Sequence, residues 1–473
     1  MAEPTKNNGS YKYKLDEILR RVDEAKLKRS YWLLVGLATI GGFLFGYDQS
    51  NIGLVIPFFP YTSHIPLLLG LEASSGFLGA AIGAIIVTSF ADKSGRKVFL
   101  IADMIIYILG ALISGASISY AMLIIGRIII GVAIGADSAI ATAYISEFAP
   151  AKDRGRLTGF QQMMINIAIL GAYLIGILVY GVAPGAVTTI GWRTVFYVAA
   201  IPAVIGLIFR ARIPESPRWL MIHKKVDTAK KVLETNFGIT ATTEEITEAS
   251  NEWNEKLKSY KIPRSLWKGV GIIVGFAFFD MFCGIDIPFI FGPEILSTIH
   301  LFPSVVSPVR AEIYDMVALL PIGAALVGGG FYGWSHIDTW GRKKISEIAW
   351  SGMVITGLIA AILWLFKLYF AVLIFLYLYT FVYSVSIGMT AWVLQGESST
   401  SEARGLIAGV IAISIWIMDF ANVTLYPVMS SRIGFTGAWI VYSILSAGAL
   451  VWTILLLKET KGVPVEEMDK LYA

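Results

Sequence analysis

The chain of 473 residues contains little cysteine, histidine or charge. Its single cysteine, Cys283, excludes an internal disulfide and fits no metal site. Its four histidines lie far apart, with no metal or nucleophile spacing around them, and no glycine loop of the phosphate-binding type is present. The sequence therefore favours neither an enzyme nor ATP-driven transport, and we expect no metal and no cofactor.

Charged residues make up 15% of the chain and hydrophobic residues 56%. A soluble domain carries about 25% charged residues, so the composition indicates a polytopic membrane protein. The net charge of +4 gives no reason to expect a nucleic-acid partner. Lys and Arg are concentrated in alternate loops, which predicts that both termini are cytoplasmic, and the first apolar segment is too long for a cleavable signal peptide.

We predict an all-α membrane protein with twelve transmembrane helices. The spans are expected at residues 29–58, 74–92, 97–118, 121–149, 156–182, 191–211, 266–297, 312–338, 344–367, 369–397, 404–430 and 436–458. They divide the chain into a cytoplasmic amphipathic tail (1–28), a six-helix half (29–212), a cytoplasmic helical linker (213–265), a second six-helix half (266–459) and a cytoplasmic tail (460–473). A plain solvated linker is the alternative for the middle segment.

Two motifs recur in the same order in the two halves. Asp-x-x-Gly-Arg-Lys follows spans two and eight, and a Glu seven residues before Arg-Gly ends spans four and ten. A six-span unit used twice is the plan of the major facilitator fold, with the substrate site at mid-membrane between the halves. The charged residues of these motifs can form ion pairs between spans; they are Asp92, Arg96, Glu147 and Arg154 in the first half, and Asp338, Arg342, Glu397 and Arg404 in the second.

Asp48 is the only charged residue between Tyr31 and Pro60. An intramembrane carboxylate is costly and typical of proton or ion pathways, although a permanent structural ion pair is the alternative. Arg127, the second intramembrane charge, lies twenty residues before Glu147 in span four, which places it at a depth similar to that of Asp48. An Asp–Arg pair whose balance shifts as the site opens to either side meets the requirement for a proton carrier.

The chain resembles the sugar porter family of the major facilitator superfamily over essentially its whole length. The matching motifs are Gly-Gly-x-Leu-Phe-Gly-Tyr-Asp ending at Asp48, both Gly-Arg-Lys loops, Gly126-Arg127, Tyr144-x-Ser-Glu147, Arg154-Gly155, Pro-Glu-Ser-Pro-Arg from Pro214, Trp392-x-x-x-x-Glu397 and Glu459-Thr-Lys-Gly. The resemblance implies that Asp48 binds the coupled proton and Arg127 tunes it. It also implies that the paired charges at the cytoplasmic ends latch that side closed.

The resemblance is weaker in the substrate pocket. Gln162, with the adjacent Gln161, matches the family's glutamine on span five, and Trp392 and Trp416 match pocket aromatics, although each Trp could instead be packing. Asp280, Asp286 and Asp419 stand where the family carries amides. If protonated, they can donate and accept as amides do, and sugar binding survives; if ionised, they favour an amine or another cation.

We therefore expect a proton-coupled symporter of a monosaccharide or sugar-like polyol in the plasma membrane. The expected partners are the sugar, protons and membrane lipids, and we expect the monomer to be functional. The alternatives are a sugar facilitator, a symporter of another small polar or cationic solute, and a transporter-like sugar sensor. The short C-terminal tail argues against the sensor.

Overall fold

The computed structural model describes residues 14–25, 36, 39–148, 154–299, 308–397, 403–463 and 468–472. Within these ranges the regular structure is entirely helical. The twelve spans are Ile40–Val55, Pro66–Ser94, Arg96–Gly115, Tyr120–Phe148, Arg154–Val182, Trp192–Arg210, Arg264–Met281, Pro308–Trp340, Arg342–Leu365, Tyr369–Glu397 and, for the eleventh and twelfth together, Arg404–Leu455. Nine helices of the described part are long and apolar enough to cross a membrane, and the last of these contains two spans.

Spans two, seven, eleven and twelve differ from the prediction. Span seven was expected to be continuous over 266–297, but it ends at Met281 and is followed by the short helices Ile287–Ile290 and Gly292–Ile299. The break contains Gly284 at φ +84°, a conformation that favours glycine, and Pro288 cannot donate a backbone hydrogen bond. Spans eleven and twelve form one helical run bent at Gly434, and span two begins at Pro66, eight residues before the expected start.

Three helices connect the two halves: Pro217–Ile222, Val226–Val232 and Thr243–Ser259. Thr242 and Glu245 form a capping box at the start of the third, which satisfies two backbone donors at once. The N-terminal helix Lys14–Asp23 packs on this helix, and its Leu15 backbone N–H donates to Glu252 Oε2 at 2.8 Å. We call the end of the molecule that carries these helices the linker side, and the opposite end the far side. Shorter helical turns lie at Ile56–Phe58, Pro184–Ala186, Val187–Gly191, Leu233–Phe237 and Met468–Leu471.

The repeat is visible at two glycine turns on the linker side. Gly95 (φ +95°) joins spans two and three, and Gly341 (φ +87°) joins spans eight and nine. The carboxylate of Glu215 accepts hydrogen bonds from the first two backbone N–H groups of span three, both at 3.1 Å. Glu459 does the same for span nine, at 2.9 and 3.1 Å. Each carboxylate thus caps a helix N-terminus, where a negative charge is favourable.

Small residues let the spans approach closely. A Cβ atom at Gly135 of span four would lie 1.8 Å from the carbonyl oxygen of Ala80 in span two. The most extensive contacts between the halves are those of span two with span eleven and of span five with span eight. Ser74 and Thr424 share a hydrogen bond of 2.7 Å across the first pair. In the second pair, Asn166 Nδ2 donates to the Leu326 carbonyl at 3.0 Å. Between these contacts a space remains between the two halves.

Candidate functional site

Asp48 and Arg127 form a buried ion pair inside the first half. Arg127 Nη1 lies 3.2 Å from Asp48 Oδ1, and Arg127 Nη2 donates to the Ala73 carbonyl at 3.3 Å. The two residues are 3% and 1% exposed. Gly76 of span two provides the room, because a Cβ there would lie 3.2 Å from the guanidinium and 3.3 Å from the carboxylate. Spans one, two and four therefore enclose the pair.

A cavity of about 50 Å³, counted as the space open to the centre of a water molecule, lies between the halves. Phe45 and Gln49 of span one line it, and Asp48 directly precedes Gln49 in the same helix. On the far side the first half contacts the broken region of span seven, where the Tyr173 hydroxyl donates to the Phe289 carbonyl at 2.9 Å. On the linker side Phe160 and Trp334 approach across the halves with ring centroids 6.3 Å apart.

Amide and indole groups converge on the cavity from spans five and ten. The Trp392 indole donates to Gln162 Oε1 at 2.9 Å, and Gln162 Nε2 donates to Asn166 Oδ1 at 3.0 Å. Phe45 meets Trp416 edge to face, with ring centroids 4.9 Å apart. Hydrogen-bonding groups beside aromatic faces can recognise the hydroxyl and C–H surfaces of a sugar.

Three carboxyls form the opposite wall. Asp280 ends span seven, Asp286 lies in its break, and Asp419 lies in span eleven; all three line the cavity and are at most 5% exposed. Gln49 Nε2 donates to Asp286 Oδ1 at 2.6 Å. Asp286 and Asp419 are close neighbours, and the Tyr383 hydroxyl faces Asp280.

The structure brings six of the seven predicted pocket residues to the cavity: Gln162, Asp280, Asp286, Trp392, Trp416 and Asp419. Gln161 does not line it; its Oε1 accepts a hydrogen bond from Thr142 at 3.1 Å instead, because adjacent residues of a helix face different directions. Sequence reasoning missed Gln49, Asn166 and Tyr383. Asn166 carried a signal, since it lies four residues after Gln162 and therefore on the same helical face.

Buried ion pairs hold the linker side of each half. In the second half Arg342 Nη2 and Nε contact Glu397 at 2.6 and 3.2 Å, Arg342 Nη1 lies 3.0 Å from Asp338, and Thr460 Oγ1 donates to Glu397 at 2.7 Å. In the first half Arg96 Nη2 lies 3.3 Å from Glu147 Oε1. The side chains of the other three predicted members lie outside the described residues; they are Asp92, Arg154 and Arg404.

A second buried charge cluster was missed by sequence reasoning, which counted Arg127 as the second intramembrane charge after Asp48. Arg210 Nη1 lies 2.6 Å from Asp103 Oδ2 and 2.5 Å from Asp137 Oδ1, and the three residues are at most 2% exposed. The cluster joins spans three, four and six. Both carboxyls sit inside predicted spans, so the argument that identified Asp48 could have found them.

Twelve spans in two repeated halves, with a cavity between them lined by apolar, aromatic and polar side chains, define a membrane transporter of the two-half, alternating-access type. The family model described as sugar (and other) transporter matches residues 34–472, so the chain belongs to that family, which is one of transporters and not of enzymes. The predicted family and all-α major facilitator fold are confirmed.

Among characterised relatives, the glucose transporter GlcP of Staphylococcus epidermidis is 30% identical over 452 residues, which cover 94% of this chain and 97% of the relative. The arabinose-proton symporter of Bacillus subtilis is 28% identical over 443 residues, covering 92% and 93%. The solved structure of the proton:xylose symporter XylE bound to 6-bromo-6-deoxy-D-glucose superposes with a TM-score of 0.81 at 24% identity, covering 94% of this chain and 99% of that one.

Proposed function

We propose that the protein is a proton-coupled sugar symporter that works by alternating access. The observation that carries the proposal is the buried Asp48–Arg127 pair, whose Asp48 shares a helix with Phe45 and Gln49, two residues that line the cavity between the halves. A relative named as an arabinose-proton symporter and the likeness to a proton:xylose symporter support both the coupling and the substrate class.

In this proposal Asp48 binds the coupled proton. With Asp48 ionised, its charge is compensated by Arg127 at 3.2 Å. A proton that enters when the cavity opens to one side neutralises the carboxyl and weakens the pair, so spans one and four can move relative to each other. The enclosed state then carries both proton and sugar. Release of the proton on the other side restores the pair.

The linker-side ion pairs act as latches in the same cycle. Arg96 with Glu147, and Arg342 with Glu397 and Asp338, tie together the span ends that separate when that side opens. Asp92, Arg154 and Arg404 are proposed to belong to the same latches. Glu215 and Glu459 hold the adjacent helix starts, so the linker and the C-terminal segment are joined to the moving parts.

We further propose that the linker side is cytoplasmic and that the protein lies in the plasma membrane. The Lys- and Arg-rich loops support this orientation, because positively charged loops remain on the cytoplasmic side. The predicted segment boundaries, 1–28, 29–212, 213–265, 266–459 and 460–473, and a monomeric functional unit surrounded by lipid are part of the same proposal.

The test is uptake of labelled hexoses, pentoses, polyols and amino sugars into proteoliposomes, with and without an inward proton gradient. We expect accumulation above equilibrium only when the gradient is imposed. Uptake that stops at equilibrium in both conditions would overturn symport and leave a facilitator. Protein-free liposomes, and the same proteoliposomes with the gradient collapsed by a protonophore, are the controls.

A further inference from the structure

The cavity has two chemically different walls. The first half contributes the amides of Gln49 and Gln162 and the ring of Phe45, whereas Trp392 and Trp416 come from the second half. The wall from the second half presents the carboxyls of Asp280, Asp286 and Asp419. Among the described residues that line the cavity there is no Lys, Arg or His. The acidic wall therefore has no counter-charge of its own inside the cavity.

Some oxygen atoms of these carboxyls have few partners. Oδ2 of Asp286 and Oδ1 of Asp419 are buried without a hydrogen-bond donor from the described residues, although the two carboxyls contact each other. Within the described part of the chain, Asp280 has only the Tyr383 hydroxyl beside it. A buried polar atom without a partner costs free energy, and such atoms in native proteins call for an explanation. Here they line the surface of the cavity, so a bound solute is the group that can satisfy them.

The donor and acceptor inventory indicates which solute group fits. An ionised carboxylate only accepts hydrogen bonds, whereas a sugar hydroxyl both donates and accepts. A protonated amine has three donors, no acceptor and one positive charge. Buried carboxyls beside each other favour the ionised form only with a cation at hand, and a positively charged group that only donates is the ligand that supplies it. The amides of Gln49, Gln162 and Asn166 remain available for hydroxyls.

We propose that the transported solute is a monosaccharide carrying a protonated amine, and that Asp286 and Asp419, with Asp280 beside them, bind its ammonium group. This proposal rests on the proposed sugar transport and specifies its substrate class. The ring hydroxyls lie against Gln162 and Asn166, and an apolar face of the ring lies against Trp392 or Trp416.

The test compares D-glucosamine with D-glucose and N-acetyl-D-glucosamine, two neutral sugars that differ from it at the amine position. Binding of each to the purified full chain is measured by titration calorimetry, and their uptake is measured under the same inward proton gradient. We expect glucosamine to bind at least about tenfold more tightly than either neutral sugar. Asp286→Asn and Asp419→Asn should each reduce the ratio of glucosamine affinity to glucose affinity towards one.

Asp315→Asn is the matched control, because Asp315 is 4% exposed in span eight of the same half and does not line the cavity. It should keep the preference. Equal affinity for glucose and glucosamine, or a preference that survives both Asp→Asn variants, would overturn the inference. If neutral sugars accumulate under the gradient and glucosamine is not preferred, symport stands and this inference fails. If no sugar accumulates, symport fails, and the binding measurement alone still decides the inference.

Discussion

Replacing Asp48 by Asn should uncouple transport from the proton gradient. Asn keeps a side-chain oxygen where Asp48 Oδ1 accepts from Arg127 at 3.2 Å, but it cannot bind and release a proton. The side chain at position 48 is therefore permanently neutral, as it is in the protonated wild type. We expect it to exchange labelled for unlabelled substrate across the membrane and to fail to accumulate substrate.

The expected magnitude follows from the coupling of one proton. One pH unit across the membrane is worth about 1.36 kcal/mol per proton, which is a tenfold concentration ratio. With the membrane potential held at zero, wild-type protein should reach an inside-to-outside ratio of about 10 for one pH unit and about 100 for two. For Asp48→Asn the ratio should stay at 1 for any gradient, since no proton accompanies the substrate.

The assay is the steady-state ratio in proteoliposomes, with potassium and valinomycin fixing the potential and the inside pH held constant. Asp315→Asn, a buried Asp outside the cavity, should accumulate like the wild type. If Asp48→Asn shows no exchange, the double variant Asp48→Asn with Arg127→Gln removes both charges and repeats the test without an uncompensated buried cation. A single variant that still accumulates about tenfold per pH unit would refute the assignment of the proton to Asp48.

Three further predictions concern stability, each read as a melting temperature in detergent. Gly135→Ala places a Cβ 1.8 Å from the Ala80 carbonyl oxygen and should reduce the stability by about 1–3 kcal/mol. Gly171→Ala is the control, because its Cβ would have no atom within 4 Å, and it should leave the stability unchanged. Equal losses of stability in the two variants would contradict the packing argument. Arg210→Gln leaves two buried carboxyls without their cation and should cost about 3–5 kcal/mol, and an unchanged melting temperature would contradict this role. Burial raises the pKa of Glu215, and its backbone hydrogen bonds partly offset that rise. The contribution of Glu215 to stability is therefore greatest at acid pH and is lost as the pH rises through the folded-state pKa. Glu215→Gln should make this decline of stability with pH shallower, and a decline as steep as that of the wild type would contradict the prediction.

Helix geometry was sufficient to predict that the two charges of the proposed proton site lie at the same depth. Asp48 and Arg127 lie 79 residues apart in the chain, yet counting the rise of each helix from its linker-side end gives them a similar depth. The structure then places their side chains in contact. The repeated Gly-Arg-Lys motifs in the same way predicted two matching sets of ion pairs on one side of the molecule.

Features that depend on the lateral arrangement of helices could not be predicted in this way. The Asp103–Asp137–Arg210 cluster forms because spans three, four and six are neighbours, and no second copy of it in the other half pointed to a role. Gln161 and Gln162 are adjacent in sequence, but only the helix rotation decides which one faces the cavity. The break in span seven depends on a backbone conformation at Gly284 that hydropathy does not report.

The repeat also separates the parts of the molecule by task. On the linker side the halves match closely: each has a glycine turn, an Arg–Glu pair and a carboxylate capping the next helix, as at Glu215 and Glu459. In the interior they differ, because the first half holds Asp48 with Arg127 and the second presents three carboxyls to the cavity. The proposed latch must open and close in both halves, so matched parts suit it, whereas one proton and one solute need only one site each. We therefore propose that specificity resides in the asymmetric interior, and variants of the acidic wall should change the substrate without changing the coupling.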